Sequence, residues 1–476
     1  MTMTSRAAPL VALAVALVLP PSAAHAGGFY VPEIGGRGLA MSGAMTAQAE
    51  DTTTIFHNPG GLPFVSGTRL QLSSALFLPH VEHFRRPVVD PASGDTIRFA
   101  RVTNTNAIGA VPFAGAILDL GIPKLTLGVS LAVPFGATLE YPTDGAQRFV
   151  VTAIALRTIY AGPAVAYRVH PTLGVGASLN YVYSDIRLEQ ENALQFVTGD
   201  PEQAPNPDPA VEGSNAIDAR DSASLSASFG VRWTPTPRVA AGLALMTPTT
   251  LRFKGDIDVR NAGIAELRDG SGTTIQPAGR RTDGVAFEFP LPLVVRLGAL
   301  VRPTPRLALA LDLNWQRWST FEKLELRFTN HHELLATPGA NLYDVTLENA
   351  WKDTFSVRAA AAYRVPWSRP LEVRGGLVFD QSPIDDRHFD VLTPDSDKLG
   401  VSAGLGTQVC LGGRRLDIDL GYMHLFLAER DIAPGTGGQS GSDRTILNKP
   451  APSFFHGVTR ARFDLFAISL TMHLQD

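Results

Sequence analysis

The stretch "LTLGVSLAVPFG", Leu125 to Gly136, alternates without exception. Its odd positions, Leu125, Leu127, Val129, Leu131, Val133 and Phe135, are large and apolar; its even positions, Thr126, Gly128, Ser130, Ala132, Pro134 and Gly136, are small or weakly polar. A period of two is the signature of a β-strand with one greasy and one non-greasy face. The same pattern returns in "LGVGASLNYVY" from Leu173, in "LSASFGVRW" from Leu225, and near the end, where Phe466, Ile468, Leu470, Met472 and Leu474 alternate with Ala467, Ser469, Thr471 and His473. A soluble sandwich alternates too, so the pattern by itself leaves open whether the greasy face meets a core or lipid.

The breaks between strands separate the two cases. Short turn-forming links occur at 121–124, 170–172, 234–238, 302–306, 366–370 and 412–415. Between them lie long polar connections near 79–103, 137–149, 190–220, 247–285, 319–352, 381–398 and 428–458. Short and long links alternate strictly, as in an outer-membrane barrel with tight periplasmic turns and long outer loops. The expected fold is therefore all-β, a transmembrane antiparallel β-barrel of about 14 strands with both termini on the periplasmic side.

The rest of the sequence agrees with a Gram-negative outer-membrane location. Arg6, the apolar "LVALAVALVLP" from Leu10 to Pro20, and small residues at Ala24 and Ala26 read as a signal peptide over 1–26, removed after Ala26. No later run reaches the roughly 18 uninterrupted apolar residues of a membrane helix. The 476 residues carry a formal net charge of -4, which argues against a nucleic-acid surface. One cysteine, Cys410, permits no internal disulfide. The barrel is expected over 67–476, which leaves 27–66, rich in Gly, Ala, Ser and Thr, with at most a short helix from about Leu39 to Ala49. A barrel this wide leaks unless filled, so 27–66 is expected to fold inside the lumen as a hatch.

At this point the residues resemble a known family. "GGFYVPEIGGRGLAMSGAMTAQAEDTTTIFHNPGGL" is similar to the mature start of the FadL/TodX outer-membrane transporters, with Gly28-Phe29, Glu50-Asp51 and Asn58-Pro59-Gly60-Gly61 in the places of the family's motifs. Gly60 stands where that family usually has Ala. "PFG" at 134–136, "AGPAVAYRV" at 161–169, "LDLNWQRWSTFEKL" at 311–324, "WKDTFSV" at 351–357, "FDQSPIDD" at 379–386 and "PDSDK" at 394–398 carry the resemblance down the chain. It implies passive uptake of hydrophobic molecules, long-chain fatty acids first and aromatic hydrocarbons as the alternative. Substrate would be caught among the outer loops, pass a pocket near the hatch, and exit sideways at a kinked strand. A general diffusion porin is the remaining transport reading.

Phe29 is the pocket residue by resemblance, and Leu194, Phe196 and Val197 are apolar where a solvated loop does not need them, as an outer groove would be. Asn58, Pro59, Gly60 and Gly61 read as the hinge between hatch and wall. Pro134, with Gly136 beside it, either breaks strand pairing as a lateral gate or ends its strand at the outer rim. Arg157, Arg187 and Arg296 are alternative anchors for a carboxylate. Trp315, Trp318 and Phe321 read as an aromatic girdle at the lipid boundary. No nucleophile elbow, phosphate loop or His-Glu-x-x-His helix is present, and "GRGLAM" at 36–41 lacks the last glycine of a dinucleotide motif, so no enzyme, cofactor or metal site is expected. The expected partners are the hydrophobic substrate, outer-membrane lipid and lipopolysaccharide, and the barrel assembly machinery, with the protein a monomer. The final "MHLQD" lacks the terminal aromatic common in such barrels, from which less efficient assembly in a foreign host is expected.

Overall fold

The computed structural model describes residues 28–474 except 90–93, 106–107, 194–211, 261–266, 269–273, 276–279, 332–343 and 434–455. The expected signal peptide and the loop residues Leu194, Phe196 and Val197 lie outside the described residues.

Alternating segments become wall strands paired with their neighbours in chain order. They are β1 (Arg69–Arg85), β2 (Gly109–Leu118), β3 (Leu125–Ala132, resuming at Gly136–Glu140), β4 (Ala153–His170) and β5 (Leu173–Ala193). Next come β6 (Glu212–Thr236), β7 (Val239–Met246 and Thr249–Arg260), β8 (Arg280–Leu291 and Val294–Thr304) and β9 (Leu307–Gln316 and Lys323–Phe328). The circuit ends with β10 (Val345–Glu348 and Thr354–Arg364), β11 (Leu371–Asp380), β12 (Lys398–Leu411), β13 (Arg414–Leu427 and Arg430–Ile432) and β14 (Gly457–His473). β14 closes on β1 from Arg69↔His473 to Arg85↔Gly457, completing an antiparallel barrel of 14 strands. Closure is what a bilayer demands, because hydrocarbon offers no partner to a free strand edge.

Side chains sort by parity along each strand. In β1, Leu70, Leu72, Leu76 and Leu78 are exposed on the outer face, while Gln71, Ser73, Ala75 and Phe77 are buried in the lumen. Greasy outside and mixed inside inverts the order of a soluble sandwich.

The lumen is filled by residues from Gly28 to Phe64, nearly all of them buried. This hatch contains helix α1 (Gly35–Ala40), helix α2 (Thr54–His57) and a 3-10 turn, Pro59–Phe64. The helix expected over about Leu39 to Ala49 lies earlier and is shorter. Ser42 and Gly43 both take positive φ, at 51° and 75°, and the Gly43 N–H bonds back to the Gly38 carbonyl at 2.8 Å, which ends the helix in a left-handed closure.

Hatch and wall meet at backbone distance. A Cβ on Gly60 would stand 2.6 Å from both the carbonyl carbon and oxygen of Gly230 in β6, and a Cβ on Gly230 would stand 2.1 Å from Asn58 Oδ1. Gly60 is therefore explained by the fit: an alanine here drives two backbones apart. The Asn58 amide completes the join, donating to the Thr46 carbonyl (2.7 Å) and the Val231 carbonyl (3.0 Å) and accepting from Gly60 N–H (3.0 Å). Gly60→Ala is predicted to loosen the hatch by about 1–3 kcal/mol, the usual size of an overpacking penalty. The check is faster tryptic nicking of the hatch in a barrel that keeps its heat-modifiable migration; unchanged nicking would show that the contact separates freely.

Candidate functional site

The wall is irregular in β3. Its ladder with β2 runs from Leu118↔Leu127 to Phe113↔Ala132 and stops there. The strand resumes at Gly136, and the ladder of this second stretch among the described residues is with β4, from Gly136↔Arg157 to Glu140↔Ala153. An isolated bridge, Thr105↔Glu140, lies at the far end. Pro134 thus lies at an interruption within a continuing strand. The ladder pairs and the bridge bound a break in the wall, with Gly109–Pro112 of β2 opposite Val133–Phe135.

Proline has no N–H to give a ladder, and the chain bends inward around it. The bend changes the parity of the opening stretch: Val129 and Leu131 face outward as the alternation requires, but Val133 and Phe135 are buried. They were expected on the same greasy face, and the kink turns them into the lumen.

The hatch supplies what β2 does not. Val31 N–H donates to the Pro134 carbonyl at 2.8 Å, Gly136 N–H donates to the Phe29 carbonyl at 2.9 Å, and Tyr30 faces Phe135 in an antiparallel bridge. Three hatch residues thus act as one short strand laid on the kink from inside. On the other flank, Thr158 of β4 holds Phe135: the Thr158 N–H and hydroxyl both donate to its carbonyl, at 3.1 and 2.6 Å.

Beside this contact is a chamber of aromatic rings packed against one another. Phe29 stacks on Trp351 (centroids 5.4 Å apart) and meets Phe289 edge-on at 5.3 Å, while Trp318 stands 5.1 Å from Trp351 and 6.3 Å from Phe135. Phe321 closes the group, 4.7 Å from Phe289 and 4.8 Å from Trp351. Trp318 and Phe321 are therefore not girdle residues. Trp318 is 0% exposed, in a 3-10 turn that carries β9 inward. Its even number was a readable sign, since Leu309, Leu311 and Leu313 put the odd positions of β9 outside. Trp315 has that odd parity and is half-buried.

Charged groups fasten the hatch around the chamber. Arg358 of β10 is ion-paired with Glu33, donates to the Ser42 carbonyl at 2.8 Å, and stands 3.7 Å from Asp380. Asp312 of β9 accepts from Thr46 N–H at 2.8 Å. Arg296 of β8 bonds the Tyr30 hydroxyl and the carbonyls of Phe56 and His57, the latter two at 3.0 and 3.1 Å. Burial, with that guanidinium next to it, pulls His57 down to about 3 and keeps it neutral. Below, Arg37 pairs with Glu372 at 2.7 Å and Glu50 with Arg302 at 2.5 Å. Of the three arginines considered as anchors, Arg296 meets the hatch, while Arg157 pairs with Asp185 at 2.7 Å and Arg187 with Glu189. Gly28 N–H reaches Asp395 Oδ2 at 3.3 Å, in the connection between β11 and β12.

Comparison with known proteins adds the relationship. Residues 17–448 match the family described as outer membrane protein transport protein (OMPP1/FadL/TodX). An outer membrane protein of Neisseria meningitidis serogroup B is 23% identical over 459 residues, covering 93% of this chain and 94% of that one. The long-chain fatty acid transport protein of Escherichia coli strain K12 is 23% identical over 428 residues, covering 87% and 91%. Among solved structures, a Pseudomonas aeruginosa FadL homologue superposes with a TM-score of 0.76 at 17% identity, covering 94% of this chain and all of that one. The Pseudomonas putida toluene transporter TodX superposes with a TM-score of 0.63 at 15% identity, covering 92% and 98%. The chain belongs to the OMPP1/FadL/TodX family of outer-membrane transport proteins, which are channels for hydrophobic compounds rather than enzymes.

Proposed function

We propose that this protein admits long-chain fatty acids by passive diffusion, and that they leave the lumen sideways through the break in β3. The observation that carries the reading is the short hatch strand, Phe29 to Val31, laid on Val133–Phe135. In a bilayer an unpaired backbone group is costly, so a break in the ladder stays closed only while a substitute is bonded to it. Here the substitute is two backbone hydrogen bonds and a ring contact, and the scheme has this segment withdraw. Substrate in the aromatic chamber would displace Phe29 from Phe289 and Trp351, and the same movement would take Tyr30 and Val31 off the kink. An apolar solute would then reach the membrane without crossing the charged floor formed around Arg37, Glu50, Arg302 and Glu372.

Asn58 to Gly61 serve in this scheme as the fixed end of the hatch, against which its first residues swing. A second reading, uptake of aromatic hydrocarbons, is favoured by two observations. The chamber is built from aromatic rings, and the arginines nearest its hatch side, Arg296 and Arg358, already hold hatch groups instead of facing a ligand carboxylate.

The route is tested by tying the gate. Tyr30 and Phe135 are direct partners across an antiparallel bridge, a separation that a disulfide spans. In a Cys410→Ser background, Tyr30→Cys with Phe135→Cys is predicted to cut uptake of radiolabelled oleate by cells at least about tenfold when oxidised, with recovery on mild reduction. Full uptake by the cross-linked protein would remove the lateral route.

A further inference from the structure

Away from the hatch, toward the long-loop end of the barrel, an apolar cavity of about 50 Å³ lies between two pairs of strands. Leu188 and Gln190 of β5 and Asn215 and Ile217 of β6 line one side; Leu326 and Phe328 of β9 and Val345 and Leu347 of β10 line the other. None of the eight side chains is charged. Asn215 is 3% exposed, and neither its amide oxygen nor its amide nitrogen has a hydrogen-bond partner among the described residues. Gln190 is its direct cross-strand neighbour, so two carboxamides stand side by side on the lumen face.

A buried amide with both atoms unmatched is among the least favourable arrangements in a folded protein, whereas a leucine at this position would join its apolar neighbours without penalty. The cavity exceeds the roughly 10–15 Å³ needed for one water and is far smaller than a long-chain amphiphile, which suits a head group of a few heavy atoms. Leu326, Phe328, Val345 and Ile217 belong to the same apolar cluster as Phe29, so a chain attached to that head group would run along continuous apolar surface toward the chamber.

We infer that Asn215, with Gln190 beside it, forms a specificity subsite for an uncharged head group that both donates and accepts a hydrogen bond, a hydroxyl or an undissociated carboxyl, on an apolar chain. The amide presents a donor and an acceptor together, the complement of such a group. An ionised carboxylate has no donor to offer and would be stripped of water in a cavity with no cation among its lining residues, so it is selected against. This rests on the reading of the protein as a channel for hydrophobic molecules and adds the head-group chemistry to it.

The test uses the full-length, detergent-purified protein and three ligands: 1-decanol, its methyl ether, which lacks the donor, and decanoate at pH 8. Calorimetric titration is corrected against protein-free micelles. Wild type is expected to bind 1-decanol about tenfold more tightly than the ether or decanoate. Asn215→Leu should abolish that preference, so that 1-decanol and its ether bind alike, and Gln190→Leu should reduce it in the same direction. Heat-modifiable migration reports that each variant is folded. Equal affinities in wild type and Asn215→Leu, with all three ligands bound, would overturn the subsite and mean that water alone satisfies the amide, leaving the channel reading intact. Binding of none of the three would overturn both.

Discussion

The rest of the structure depends on the pair of backbone hydrogen bonds between the hatch and the kink, Val31 N–H to the Pro134 carbonyl and Gly136 N–H to the Phe29 carbonyl. A membrane barrel tolerates a break in its ladder only if the freed groups find partners away from lipid. Pro134 creates the break by lacking a donor and bending the strand; Phe29 to Val31 answer it from inside. One segment thus both fills the lumen and bonds the break, and in the proposed scheme a movement of Phe29 would be coupled to the state of the wall.

Hatch and wall are joined unevenly along the hatch. Its later part is locked by the Asn58 amide, by the backbone contact of Gly60 with Gly230, and by Thr52 bonded twice to Gln71 of β1 at 3.0 and 2.6 Å. Its middle is held by Glu33 on Arg358 and Thr46 on Asp312. Removing one member of a buried ion pair typically costs about 3–5 kcal/mol, so the Glu33–Arg358 site resists displacement. The first residues add ring contacts and a short ladder to the bonds of Gly28 N–H with Asp395 and of the Tyr30 hydroxyl with Arg296, and of these it is the ring contacts that an apolar ligand can replace in kind. Mobility is expected where the contacts are exchangeable and rigidity where they are charged or sterically exact.

Much of this was legible in the sequence, for a physical reason. Lipid imposes one requirement on every outward side chain, so alternation and loop sorting revealed the barrel, its strand number and the hatch. The lumen imposes no uniform requirement, and there the reading was weaker. Alternation placed Val133 and Phe135 with the lipid-facing set, because a period of two cannot register an inward bend. Trp318 and Phe321 looked like girdle residues by type, although the parity of Trp318 already pointed inside. Gly60 was an unexplained letter until the distance to Gly230 was known. The hatch–kink ladder and the Asn215–Gln190 pair were beyond reach, since each joins residues whose proximity only the closed barrel creates.

The central claim, that substrate releases the start of the hatch from β3 while the rest stays in place, is most directly tested by amide hydrogen exchange in the purified protein with and without oleate. The account predicts that Val31 and Gly136 lose protection on adding oleate, while Gly60 and Gly61 keep theirs. Unchanged protection at Val31 and Gly136 under saturating oleate, or equal loss at Gly60 and Gly61, would contradict it.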